Sequence, residues 1–95
     1  PLGVPPADEA RLRALGRTRD CLFFCAGVVR RGDLRGGRSM TIGWPVSGDP
    51  AGRLARVPVG QTIRVARAEI ESVCRFYRRI GNALLAADAR AASVA

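Results

Sequence analysis

The sequence predicts an α+β fold: a short N-terminal helix, a two- or three-stranded antiparallel sheet and a long C-terminal amphipathic helix. Three observations carry this. Helix start and stop signals frame the first fifteen residues, apolar residues alternate with period two around residues 40–59, and from Gln61 the apolar period changes to about three and a half. The chain has 95 residues, which is one small domain, with an extended lead-in over 1–6, a folded core over 7–92 and a frayed tail over 93–95.

The N-terminal helix is predicted over Ala7–Leu15. Asp8 and Glu9 come first, Arg11 and Arg13 later, and Gly16 stands just past the end, which suits the helix dipole and a glycine stop. The apolar run Cys21–Val29, rich in aromatic and β-branched residues, reads as a buried strand. A rival reading carries the first helix through Gly16 with Leu12, Leu15, Leu22, Ala26 and Val29 as a stripe, at a cost of about 1 kcal/mol for the glycine. Met40, Ile42, Trp44 and Val46 alternate along Ser39–Val46, with Pro45 pointing to an edge or a bulge. The cluster Ser47–Gly52 is a turn, and Arg53–Val59 returns as the second arm of a hairpin.

The C-terminal helix is the strongest signal. Ile63, Ala66, Ile70, Val73, Tyr77, Ile80, Leu84, Ala87, Ala91 and Val94 recur at spacings of three and four, with Thr62 as the expected N-cap and Gly81-Asn82 as a point of weakness. Such a seam lies against something. Because a chain of this size buries only about 60–65% of its unfolded surface, the seam residues Ile63, Ile70, Val73, Tyr77, Ile80 and Leu84 are the expected interface of a homodimer or larger oligomer.

Sixteen cationic residues stand against 8 acidic ones, a formal +8, and all sixteen are Arg; Lys and His are absent. A GC-rich genome accounts for Arg in place of Lys but not for the net charge, which favours polyanions such as nucleic acid or an acidic membrane surface. At about 100° per residue, Arg64, Arg67, Arg75, Arg78 and Arg79 fall on the side of the long helix opposite its seam. Glu71 can pair with Arg67 or Arg75, which leaves at least three of these arginines for phosphate. The Gly- and Arg-rich connection containing Arg31, Arg35 and Arg38 is a second candidate contact. Its Arg31-Gly32-Asp33 spells an integrin-binding tripeptide, a match expected by chance roughly one time in ten from these residue frequencies and therefore worth little.

Catalysis has little to work with. General acid–base chemistry usually rests on His, a tuned carboxylate pair or a depressed Lys; two of those residue types are missing, the carboxylates are scattered, and Cys74 has only Arg75 and Glu71 as near neighbours. The expectation is a protein that is not an enzyme and takes no cofactor. Cys21, Cys25 and Cys74, without His, make neither a disulfide framework nor a zinc site. They read as reduced, buried thiols, which points to a reducing intracellular compartment rather than a secreted protein. The nine-residue apolar run Cys21–Val29 is far short of a membrane span. The chain opens on Pro1, as a processed product, a fragment or a tagged expression product would, so any targeting segment is out of view.

The order helix, three strands, helix, with Gly60-x-Thr62-x-Arg64-x-Ala66-Arg67 opening the last helix, is similar to the double-stranded RNA-binding domain. That resemblance implies phosphate contacts from Arg64 and Arg67 across a major groove. Ile63 replaces one cation of the family pattern, Glu71 and Arg75 stand where small apolar residues pack on the sheet, and the loop before the second strand lacks the family's His. The coarse element order is also that of small viral nucleocapsid dimerisation domains, and the turn Gly48-Asp49-Pro50 resembles that of histone-like DNA-bending proteins, whose final helix is not long. The reading taken forward is a non-catalytic, dimeric module that grips nucleic-acid phosphates with arginines, largely without regard to sequence. The alternative is a structural or assembly protein, for example a viral capsid or nucleocapsid-type subunit.

Overall fold

A computed structural model describes residues 4–94 and gives the order helix, strand, strand, helix. The first helix, α1, runs Pro6–Phe24 and so passes straight through Gly16. Of the expected lead-in, residues 1–3 lie outside the described residues, Val4 and Pro5 are not helical, and Pro6 already opens α1. Proline fits there because the first helical residues lack an intrahelical partner for their N–H in any case. The amides of Asp8 and Glu9 both donate to the Pro5 carbonyl, at 3.0 Å each.

Gly16 does not stop α1 because tertiary packing outweighs its propensity penalty of about 1 kcal/mol. Ala14, Leu15, Thr18 and Cys21 form one buried stripe. The Thr18 hydroxyl donates to the Ala14 carbonyl at 2.7 Å and accepts the Gly43 amide at 3.1 Å, which bolts the helix to the sheet beyond the glycine. The reversal comes instead at Ala26 (φ 53°) and Gly27 (φ 82°), with the amides of Cys25 and Gly27 both on the Cys21 carbonyl. The strand expected over Cys21–Val29 is thereby corrected: Cys21–Phe24 is helix, and only the end of the run is extended. There Val28 forms an isolated bridge with Thr62, flanked by Val29 N–H to the Gln61 carbonyl at 2.9 Å and Gly60 N–H to the Val29 carbonyl at 2.7 Å.

The sheet has two antiparallel strands, β1 (Ser39–Pro45) and β2 (Leu54–Pro58), as the alternation predicted. Pairing runs Ser39 with Pro58, Met40 with Val57 and Thr41 with Arg56, then slips before Pro45 meets Leu54. Pro45 stands at the end of this irregularity, where a missing ladder donor costs least. Met40, Ile42 and Trp44 are all buried, and Gly43 is buried as well because α1 crosses it. A Cβ on Gly43 would come within 2.3 Å of the Leu15 side chain, so the close approach of helix and strand requires glycine.

The second long helix, α2, runs Arg67–Val94 without interruption at Gly81-Asn82. It starts later than expected. Thr62, in the bridge to Val28, stands ahead of the helix start at Arg67 and so does not cap it, Ile63–Ala66 is a non-helical connector, and the first helical amides of Glu69 and Ile70 reach back to the Ala66 carbonyl. The tail expected over 93–95 is helical through Val94, and residue 95 lies outside the described residues.

Two apolar clusters hold these elements. Cys21, Val29, Met40, Ile42, Trp44 and Ile63 pack beneath α1, and Leu15, Phe76 and Ile80 join α1 to α2, with Val73 on the border of both. The inward residue of α2 is Phe76, 2% exposed, whereas Tyr77 is 51% exposed. The helix is thus turned by roughly 60° from the seam's own centre. The reason is local: the Phe76 ring gains apolar burial and also lies under the Arg11 guanidinium at 4.3 Å, with Arg79 at 5.4 Å. Arg11 continues to the Gly43 carbonyl at 2.9 Å and the Ser72 hydroxyl at 3.1 Å, and Arg79 grips both carboxylate oxygens of Asp8 at 2.8 and 3.0 Å.

Candidate nucleic-acid interface

The arginines divide into those the fold consumes and those it leaves in solvent. Arg11 and Arg79 belong to the clamp between α1 and α2. Arg17 lies 3.5 Å from Asp33, Arg19 pairs with Asp20, Arg53 with Asp49 and Arg67 with Glu71, the last at 3.2 Å along one helix face. Of the residues singled out from sequence, Arg67 and Arg79 are therefore partnered, and Arg79 is structural. Arg31, Arg35, Arg38, Arg64, Arg75 and Arg78 are exposed and without an ion pair among the described residues. Arg13, Arg30 and Arg56 share that state; sequence reasoning missed them, Arg13 and Arg56 because they stand apart from the connection and the long helix, and Arg30 although it adjoins Arg31.

Their placement follows from the elements. Arg75 and Arg78 project side by side from the flank of α2 that faces away from its apolar stripe. Arg64 sits ahead of α2, on the connector, and not on the helix as the seam implied. Arg31, Arg35 and Arg38 lie on the connection that enters β1 at Ser39, whereas Arg75 adjoins the other end of β1, near Trp44 and the turn after it. The two groups are thus separated by the length of β1, about 20 Å at strand rise, and form two patches at opposite ends of the hairpin.

Hydrogen bonds tie the connection to the start of the hairpin. The Asp33 carboxylate accepts both the Thr41 amide, at 2.8 Å, and the Thr41 hydroxyl, and lies beside Arg17. The Asp33 amide donates to the Ser39 carbonyl at 3.0 Å, and Gly37 N–H closes a turn onto Leu34 at 2.7 Å. Gly32 packs on the Gly37 backbone so tightly that a Cβ would fall 2.6 Å away. The aspartate of the tripeptide is accordingly committed to the fold. Burial pushes its carboxyl up, but the Thr41 hydroxyl and amide and the Arg17 charge outweigh this and hold it below the ordinary carboxylate value.

Beside the first patch, Arg17, Arg30 and Arg31 surround an open depression of about 520 Å³ whose wall includes Phe24 and Met40. Phe24 is 79% exposed. Arg17 is held by Asp33 and Asp20 also lines the depression, so the cations beside the exposed ring without an ion pair among the described residues are Arg30 and Arg31. The strand reading of Cys21–Val29 had hidden this ring by sending Phe24 into the sheet.

The remaining groups show how the carboxylates and thiols are used. The Asp8 carboxyl is held low chiefly by its hydrogen bonds to Arg79, whose own pKa is raised in return, and the Asp49 carboxyl is held low by Arg53 and the Ala51 amide. All three cysteines are free thiols. Burial pushes the Cys21 thiol up, and it points to the Val28 carbonyl at 3.3 Å. Cys74, expected to be buried, is exposed, and Cys25 is half-buried. Among the described residues no three His, Cys, Asp or Glu side chains gather in a way that could hold a metal ion, and no helix is long and apolar enough to cross a membrane.

Fold and surface together define a small basic α+β protein in which two helices flank a hairpin. No protein-family model, curated protein or solved structure matches the chain. The likeness to the double-stranded RNA-binding domain required a three-stranded sheet and Arg64 on the second helix; the sheet has two strands, and Arg64 precedes α2.

Proposed function

We propose that this chain is a non-catalytic nucleic-acid-binding module that contacts the phosphate backbone through two arginine patches and acts as a homodimer. The observation that carries the reading is the set of exposed arginines without carboxylate partners, Arg75 and Arg78 on α2, Arg64 ahead of it, and Arg31, Arg35 and Arg38 at the far end of the hairpin. Guanidinium groups fork onto phosphate oxygens, so each patch is chemically suited to a polyanion. Five of the eight carboxylates, Asp8, Asp20, Asp33, Asp49 and Glu71, are engaged by arginines.

The test is a titration of nuclease-treated protein against single-stranded RNA and duplex DNA at several salt concentrations. About six phosphate contacts give a slope of log affinity on log salt near −4 for single strands and −5 for duplex. A flat dependence overturns the reading. A second reading, a structural or assembly subunit, is favoured by the exposed apolar stripe of Ile70, Tyr77 and Leu84 on α2. Growth of large particles with concentration in the absence of nucleic acid supports that reading over the first.

A further inference from the structure

The apolar seam of α2 is only half used. Phe76, Val73 and Ile80 turn inward, while Ile70, Tyr77 and Leu84 form a straight line at seven-residue spacing that is 54%, 51% and 43% exposed. Ile70 and Tyr77 of this line edge a groove of about 400 Å³ between α1 and α2, closed on the α1 side by Leu22 and Phe23, and Leu84 continues the line beyond it. Beyond Ile80, α2 leaves the body. The molecule is 51 Å long but only 28 by 25 Å across, and over residues 81–91 no side chain is buried, only Gly81 and Ala87 being half-buried. An unsupported helix of that length that starts on a glycine is marginal in water.

We propose that a second copy of this chain fills the groove, with the two α2 helices antiparallel and related by a two-fold axis through Tyr77. This deepens the homodimer part of the proposed function and rests on it, but not on nucleic-acid binding. The register is set by the sequence itself. Leu84 lies seven residues after Tyr77 and Ile70 seven before, so the axis places each Leu84 on the partner's Ile70, in the groove edged by Leu22 and Phe23. Each projecting half-helix thereby receives a floor. The interface is self-complementary, as two-fold symmetry demands. Asp88, eleven residues beyond the axis, arrives over residue 66 of the partner, where the positive end of the partner's α2 begins beside its Arg67.

Surface area supports a second copy over a small ligand. The chain exposes 7108 Å², about 1,800 Å² more than a compact monomer of its 10.1 kDa mass. A standard interface takes about 800 Å² from each partner, which the excess covers with room to spare. Arg75 and Arg78 lie on the opposite flank of α2 and stay in solvent after pairing. Two chains of +8 repel each other, so added salt tightens the dimer while it weakens a phosphate contact.

Sedimentation of the full chain after nuclease treatment tests this. A dimer is expected that tightens with salt, and Ile70→Asp and Leu84→Asp should each yield a folded monomer, since both side chains are exposed in one chain, with helical circular dichroism reduced by no more than the share of α2 beyond Ile80, which loses its support. Arg75→Ala should leave the dimer intact. Register is read by disulfide capture in a Cys74→Ser background: Ile70→Cys chains should cross-link to Leu84→Cys chains and not to one another. A monomer at all concentrations, or capture of Ile70→Cys by Ile70→Cys, overturns the proposal. An intact dimer that binds no nucleic acid overturns the proposed function and leaves this interface standing.

Discussion

Replacing Phe76 with Ala asks which face of α2 is inside. The ring is 2% exposed and wedged between Leu15 of α1 and Ile80, under the Arg11 guanidinium. Removing it forfeits about 2–3 kcal/mol of transfer free energy. A cavity term adds to this, because Leu15 and Ile80 belong to different helices and cannot close the gap without moving one of them. The sum is about 3–5 kcal/mol, a large fraction of what so small a fold commands. Tyr77→Ala, one residue along, should cost under about 1 kcal/mol, as substitutions at exposed sites do. The assay is urea unfolding followed by circular dichroism, at concentrations where sedimentation shows monomer, so that interface effects do not enter. A larger loss from Tyr77→Ala than from Phe76→Ala would show that the seam read from periodicity is the true core face and would refute the packing described here.

Other consequences are as direct. Gly43→Ala should destabilise by about 1–3 kcal/mol, because its Cβ would press on Leu15; Gly16→Ala should stabilise by roughly 0.5–1 kcal/mol, because its Cβ meets open space on a helix. Thermal melts should shift in opposite directions; a lower melting point for Gly16→Ala would contradict the placement of Gly16, and an unchanged or higher one for Gly43→Ala would contradict that of Gly43. The carboxyls of Asp8, Asp33 and Asp49 are held low in the folded chain, so their contribution is complete above the unfolded value of about 3.9 and is lost as pH falls through the folded values. Stability should be level from pH 5 to 7 and drop in more acid solution, and Asp33→Asn should shallow that drop; an unchanged acid limb would count against the Thr41 and Arg17 contacts.

Much of the fold was legible because local signals agreed with it. Alternation placed the hairpin within a residue or two, and the turn cluster Ser47–Gly52 separated its arms. What misled was punctuation read without its tertiary setting. Gly16 looked like a helix stop, but Thr18 and Leu15 hold α1 against Gly43, and that contact is invisible until β1 is in place. The seam on α2 was real as a pattern, yet the chain uses only part of it. Ile63 and Ile80 of the expected oligomer interface lie in the chain's own core and Val73 is half-buried, whereas Ile70, Tyr77 and Leu84 stay outside. Phe76 won the inward position through Arg11, a partner more than sixty residues away that periodicity does not register. Charge was legible as a total and, on α2, as a face. Which arginines remain free depended on Asp8 reaching Arg79 and Glu71 choosing Arg67, and only coordinates decide such pairings.

The central claim is that unpaired arginines on α2 hold phosphate. The most direct measurement is the salt dependence of RNA affinity for the double variant Arg75→Ala/Arg78→Ala beside the unaltered chain. Two lost contacts should flatten the slope of log affinity on log salt by about 1.4 units for a single strand, with the dimer and the melting curve unchanged. An identical slope and affinity in the double variant would contradict the account.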